Sequence, residues 1–461
     1  MHWIRRTCSL TLVLLMLIAP LMALGQQAPF ETVVLEMEEL LQGSLDHLEA
    51  SPDGLKVSGA EEGVYTSPEM AVQPFEYVIL TWNGQASGDA ALEVEARFFH
   101  READAWTDWL SWGRWETSPR RTSKSGGSEL ARIDTDIAWV TGDNTRGTAI
   151  QFRARLTGAE ARLRRLVFST WDTAVAERPV ESAHQGGGFD GDLAYSQYTR
   201  EGTIAAVMCS AVTTCTQLNL LGEHYLPEEI ALHQYDAGLN GFGNWSFNMA
   251  LAGELGYKAY VTFGDEEELL RLLDAGLPVG MSVKYSNTQG GSYPYLEGAP
   301  TSTGGHLITI RGYELADGER FYLVSDSAAD SDDAARFRYR GSQLMDAWDR
   351  RVLYVVMDKE LDARAITRID ITMQATEKEG IYQLSGDMPY PVKLGYASGA
   401  RRKPGSGYIG YTVDGEPGTR FDVMAAGDNL VKFTGDVDVG KVTLYVMTNK
   451  GLTYVARLVG Q

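Results

Sequence analysis

The chain has 461 residues, 44% hydrophobic and 22% charged, which excludes a disordered or collagen-like protein and suggests about three domains of roughly 150 residues. Lys plus Arg number 41 against 62 Asp plus Glu, a formal charge of −21. Such a chain repels phosphate backbones and anionic lipid, so no nucleic-acid partner is expected.

Residues 1–25, MHWIRRTCSLTLVLLMLIAPLMALG, read as a secretory signal peptide. Arg5 and Arg6 form the positive start, an apolar stretch runs from Leu10 to Ile18, and Pro20 breaks it. Ala23 and Gly25 then supply the small residues of a cleavage site. The apolar run is short for a membrane span of ~20 residues. No Cys follows it to carry a lipid, and no later segment offers a second span. The expected location is secreted, periplasmic or extracellular, with no stable membrane span after cleavage.

Residues 30–180 carry period-2 patterns in FEYVILTW, ALEVEARFF and AIQFRARL, separated by Gly, Asp and Ser clusters. This predicts an antiparallel β-sandwich or jelly roll. ETVVLEMEELLQG, ahead of it, reads as a short helix or strand. Trp106, Trp109, Trp112 and Trp115 lie three apart. On a strand, that spacing puts Trp106 and Trp112 on one face and Trp109 and Trp115 on the other. One pair is expected in the core and the other against a neighbour. A carbohydrate or cell-wall contact through this unit is the competing expectation.

Residues 181–192, ESAHQGGGFDGD, read as a linker. From 193 to 360 helical periodicity comes first, in AAVMCSAVTTCTQLNLLG and SFNMALAGELG. GDEEELLRLLDAG has Asp265 as N-cap, Glu268 completing a capping box and Gly276 as the stop. Strands follow in LPVGMSVKY, HLITIRGY, RFYLVSD and RRVLYVVM. Helices first and strands afterwards predict an α+β domain. Residues 362–461, with IDITMQAT, PVKLGYAS, FDVMAAG and VTLYVMTN, predict a small C-terminal β-domain.

Cys8 leaves with the signal, so the mature chain keeps Cys209 and Cys215. Six residues turn a helix by about 600°, which separates the two side chains and excludes a disulfide within the helix. In an oxidising compartment such thiols are either buried and inert or chemically used. Cys209 opens its helix, where the dipole favours thiolate. His306 sits in TSTGGHLITIRGY, with two glycines allowing close backbone approach before an apolar strand. Asp326 ends RFYLVSD twenty residues later, and Gln197 precedes Cys209 in AYSQYTR. The order Gln, Cys, His, Asp suits thiol acyl transfer. The thiol attacks, the imidazole moves the proton, the carboxylate orients the imidazole and the amide stabilises the oxyanion. Asp330, Asp332 and Asp333 are read as a solvent-facing loop, and Cys215 as a core residue. Cys209, Cys215, His224 and His233 fit no usual zinc spacing, so neither metal nor cofactor is expected. Trp245 is read as packing or a cleft wall.

Residues 193–357 resemble the bacterial cysteine peptidases related to the bacteriocin-processing peptidases, a branch of the papain superfamily. The landmarks, in order, are SQYTREGTIAAVMCSAVTTCTQLNLLG, GFGNWSFNMALAGELGYKAYV, LLDAGLPVGMSV, GAPTSTGGHLITIRGY and FYLVSDSAA. The resemblance implies a papain-like fold with Cys209 as nucleophile, His306 as base, Asp326 orienting it and Gln197 in the oxyanion hole. Two departures stand out: Ala211, Val212 and Thr213 replace the family's Pro and Thr-Ser, and Ser327 replaces the Pro after Asp326. The implied function is a secreted cysteine peptidase acting on peptide or protein substrates. The same triad acting on cell-wall peptide amides or in acyl transfer is one alternative, and a catalytically silent surface-binding protein is another.

Overall fold

The computed structural model describes residues 28–117, 120–362, 366–392, 407–418 and 422–459. The signal-peptide reading and most of PVKLGYAS lie outside them. Residues 30–171 form two antiparallel sheets. Strands Tyr77–Ala86 and Ala161–Trp171 are central to one, and Ala91–His100 and Gly147–Thr157 to the other. Phe152 and Phe168, one from each sheet, meet with ring centroids 5.1 Å apart, so the apolar faces predicted by alternation close on each other. ETVVLEMEELLQG forms both elements, a strand Phe30–Leu35 and a helical turn Met37–Leu40.

The Trp spacing rule fails at one position. Trp112 and Trp115 are both fully buried, because the pairing register shifts between Ser111 and Arg114. Gly113 adopts φ +102° there, and the bulge resets the alternation. Trp106 and Trp109 are part-exposed and stack with Arg97 and Arg153, whose guanidinium carbons lie 4.7, 5.1 and 4.4 Å from the rings.

Residues 193–359 place helices Cys209–Leu220, Pro227–Gln234 and Trp245–Glu254 ahead of an antiparallel sheet. Its strand order is Tyr257–Phe263, Trp348–Lys359, Val279–Tyr285, Thr303–Ala316, Glu319–Ser325 and Arg336–Arg340. The segment read as a linker is not free: Gly186–Gly188 adds a strand to Thr303–Ala316. His184 ties it down further, contacting Asp274 at 2.6 Å and Glu267 at 3.0 Å. Asp265 caps helix Glu266–Asp274 as predicted, accepting from the Glu268 N–H. The reciprocal half of the box is replaced. Glu268 pairs with Arg271 instead, and Asp265 is gripped by Arg178 at 2.7 and 2.9 Å.

The sandwich covers the outer edge of this sheet. Edge strand Tyr257–Phe263 exposes backbone groups that would otherwise be buried without partners. Side chains of the sandwich fill that role. Asn83 donates to the Ala259 carbonyl at 2.6 Å, and the Val261 and Phe263 N–H groups donate to Thr81 and Ser169. The buried Arg165 adds charge-assisted bonds to Glu36, Asn83 and Glu360. Trp115 packs edge-to-face on Phe247, 5.4 Å away. One contiguous apolar core therefore runs from the sandwich into the helices.

Residues 368–458 contribute a further sheet, in which Arg368–Ala375 and Thr453–Leu458 pair in parallel. Arg368 docks it on the helices through a two-pronged bond to Glu229, 2.7 and 3.0 Å.

Candidate active site

Helix Cys209–Leu220 begins at the thiol itself, after a short 3-10 turn Ala205–Val207. Every residue from Ser210 to Leu218 is buried, so the helix is wrapped on all sides rather than amphipathic. Its first turn has no acidic side chain. The sulfur of Cys209 thus meets the positive end of the helix dipole without a competing anion. Cys209 is part-exposed, whereas His306 is 5% and Asp326 0% exposed.

His306 lies on Thr303–Ala316, paired with Val283 of the next strand. Its ring is hydrogen-bonded to the Cys209 sulfur on one side, and Nε2 lies 2.8 Å from Asp326 Oδ1 on the other. Asp326 is saturated with donors. The Tyr285 and Tyr339 hydroxyls each donate to Oδ2 at 2.9 Å, and the Ala328 N–H donates to Oδ1 at 3.0 Å. Burial of this carboxyl raises its proton affinity, but the charge of His306 and these bonds outweigh it and hold the pKa below the ordinary range. Burial likewise disfavours the imidazolium. The Asp326 charge and bond, reinforced by Cys209, win and lift the His306 pKa to about 10. For the Cys209 thiol, burial pushes upward. The bond to His306, its charge and the N–H groups of Leu307 and Ser210 pull harder, so the pKa falls below the usual thiol value. Both shifts favour the thiolate–imidazolium form of the pair.

Gln197 is 4% exposed, on the 3-10 turn Gln197–Thr199. Ser327 fixes it. The Ser327 hydroxyl donates to Gln197 Oε1 at 2.9 Å, and the Gln197 N–H donates to the Ser327 carbonyl at 2.9 Å. With the carbonyl end so engaged, Nε2 is the end left to donate. The departure at Ser327 therefore has a use that proline, lacking a hydroxyl, could not supply. Tyr198, 49% exposed, stands close enough to Cys209 and Asp326 for their charges, after burial, to raise its pKa.

Asp332 differs from its reading as a solvent-facing residue. It accepts from the Ser196 N–H at 2.7 Å and from the Thr199 hydroxyl at 3.1 Å, and it pairs with buried Arg200. It therefore bolts the Gln197 turn to the loop after Asp326. Sequence reasoning missed this clamp as well as Tyr285 and Tyr339. Period-2 alternation in VGMSVKY does put Tyr285 on the face of Met281 and Val283, but nothing in the sequence pairs it with Asp326.

Residues 39–170 match the peptidase C39 N-terminal domain, and residues 193–354 match the Peptidase C39-like family. Across these two segments the chain is similar to the bacterial papain-like C39 peptidases. It is a cysteine peptidase, a hydrolase. No curated protein matches it. Among solved structures, digestive procathepsin L 3 of the Tenebrio molitor larval midgut is similar at 12% identity, covering 40% of this chain and 72% of that one, with a TM-score of 0.28.

The peptidase's second thiol is of a different kind. Cys215 is fully buried and donates to the Tyr225 carbonyl at 3.3 Å. Burial pushes its pKa well above the ordinary value, so it stays a neutral thiol. Cys215→Ala is expected to lower stability by about 1 kcal/mol and leave kcat/KM unchanged. Chemical denaturation and an activity assay on one preparation check this. Among the described residues, no group of three or more His, Cys, Asp or Glu side chains is placed to hold a metal ion.

Proposed function

We propose that this chain is an exported peptidase that cleaves peptide bonds through Cys209, with His306, Asp326 and Gln197 as its partners. The observation that carries the reading is the placement of Cys209 at a helix start beside His306, whose ring Asp326 holds at 2.8 Å; the shifts on both groups favour the thiolate. The thiolate attacks the scissile carbonyl carbon. The carbonyl π electrons move to oxygen, and the Gln197 amide, with a backbone N–H of the helix start, stabilises that oxyanion. The tetrahedral intermediate collapses as His306 gives its proton to the departing amine. Water, deprotonated by the now neutral His306, then attacks the thioester. The acid product leaves and the thiolate–imidazolium pair returns. Asp326 stays ionised and orients the ring throughout. The signal-peptide pattern of residues 1–25 supports export; cleavage removes Arg5 and Arg6 and leaves 39 basic against 62 acidic residues, a formal charge of −23.

Two limbs are expected in kcat/KM against pH. Cys209 has a depressed pKa, so activity is lost toward acid only as pH falls through that lowered value. His306 has a raised pKa, so its proton is present at neutral pH and is lost as pH rises through about 10. A profile that instead rises through the ordinary thiol range near ~8.5 contradicts the preformed ion pair. Substrate class is tested by comparing a peptide library with muropeptide fragments. Cleavage of the library supports the peptidase reading, and cleavage of muropeptides alone supports the cell-wall amidase. An electrophilic thiol probe that fails to label Cys209 points to a silent binding protein.

A further inference from the structure

A second built site lies where the three parts of the chain meet. A cavity of about 250 Å3 is lined by Arg121 and Thr117 of the sandwich, His233 and Glu254 of the helices, and Lys450 and Gly451 of the C-terminal sheet. Gly451, at φ +76°, lies on the turn that closes the cavity. A Cβ there would stand 3.4 Å from Thr117 and 3.6 Å from His233.

Arg121 is 2% exposed. Its Nε donates to the Glu116 carbonyl at 3.1 Å, and its guanidinium carbon lies over Trp115, 4.3 Å from the ring centroid. Nη1 is buried without a partner, and so is His233 Nε2. Buried donors and acceptors without partners are uncommon and costly. Glu254 makes no ion pair within 4 Å of the guanidinium, although its charge and those of Asp236 and Glu116 act on Arg121. The two Glu254 oxygens accept from the Ala86 N–H at 3.3 Å and the Trp115 Nε1 at 3.0 Å. The exposed Lys450 adds a second positive charge at the rim. The remaining wall mixes polar Gln85, Ser87 and Thr367 with aliphatic Leu251, Leu255 and Ile366.

We propose that this cavity binds a carboxylate attached to an aliphatic group, such as the free C-terminus of a peptide ending in a branched aliphatic residue. The guanidinium takes the carboxylate, His233 completes its hydrogen bonding and the leucines take the side chain. A dianion such as phosphate suits the site poorly, because Glu254 sits within it and half the wall is apolar. The site is separate from the catalytic thiol and stands whether or not Cys209 is the nucleophile. Its occupancy would join all three parts of the chain through one ligand.

Isothermal titration and thermal unfolding of the full chain with N-acetyl-leucine, N-acetyl-leucinamide and inorganic phosphate test this. N-acetyl-leucine is expected to bind saturably, with half-saturation near ~1 mM for a ligand of about a dozen heavy atoms, and to raise Tm. The amide and phosphate are expected to bind at least ~10-fold more weakly. Lys450→Gln, on an exposed turn, should weaken the acid several-fold, and Arg121→Met should abolish its binding. Should Arg121→Met fail to fold, the acid–amide difference and Lys450→Gln decide. Equal binding of acid and amide, tighter binding of phosphate, or unchanged affinity in Lys450→Gln overturns the proposal.

Discussion

Cys209→Ala is expected to lower kcat/KM by at least ~10⁴-fold, since removal of a nucleophile leaves only binding and oxyanion stabilisation. The fold should survive the change. Cys209 is part-exposed, and the helix behind it is fixed by residues Ser210–Leu218, all buried. The substitution removes one sulfur and its bond to His306. His306 keeps Asp326 as a partner, so no buried charge is left alone. Circular dichroism and thermal unfolding should match wild type within a few degrees, and turnover should be at background. Near-normal turnover would mean that the reacting group lies elsewhere.

Asp326 gives the second large effect, and its two variants should differ. Asp326→Ala removes the acceptor of four hydrogen bonds. The Tyr285 and Tyr339 hydroxyls are left buried without an acceptor, and His306 loses both orientation and counter-charge. A fall of about 10³–10⁴ in kcat/KM is expected, with a stability loss of about 2–4 kcal/mol. Asp326→Asn is milder. Its amide oxygen replaces Oδ1 for His306 and the Ala328 N–H, and its NH₂ faces the two tyrosine hydroxyls, which rotate to accept. Geometry is kept, but the negative charge is gone. His306 then holds its proton less tightly, and the alkaline limb of the pH profile should move down from about 10. The expected order of residual rate is wild type, Asn, Ala, then Cys209→Ala. An Asp326→Ala enzyme as fast as wild type would mean that another group orients His306.

Cys209, His306, Asp326 and Gln197 could be named because each sits both in a local pattern and in a landmark of the family resemblance: a helix start at Cys209, a glycine-flanked strand start at His306, a strand end at Asp326, and a polar turn at Gln197. Their companions could not. Tyr285 and Tyr339 reach Asp326 across sequence separations of 41 and 13 residues. Asp332 reaches the Ser196 N–H across 136. Contacts of this kind depend on strand pairing, which periodicity does not specify. Ser327 looked like a departure from a motif, because its hydroxyl matters only once Gln197 lies beside it. The tryptophan faces were misassigned for a local reason: Gly113 allows a bulge, and one extra residue inverts every later side chain. The Gly-rich stretch at 186–188 read as a linker because glycine runs favour flexibility. Here the missing side chains let backbone pair closely with strand Thr303–Ala316. A Cβ on Gly188 would stand 2.3 Å from the Gly312 Cα.

The preformed ion pair is tested most directly by the rate of Cys209 alkylation with iodoacetamide as a function of pH, followed by intact mass in a Cys215→Ala background. The neutral reagent reports thiolate alone. With His306 present, the rate should reach its plateau at lower pH than an ordinary thiol, because the Cys209 pKa is lowered. With His306→Ala it should be low at neutral pH and rise toward ~8.5, the ordinary thiol range. A wild-type rate that rises through ~8.5, indistinguishable from His306→Ala, would contradict the account.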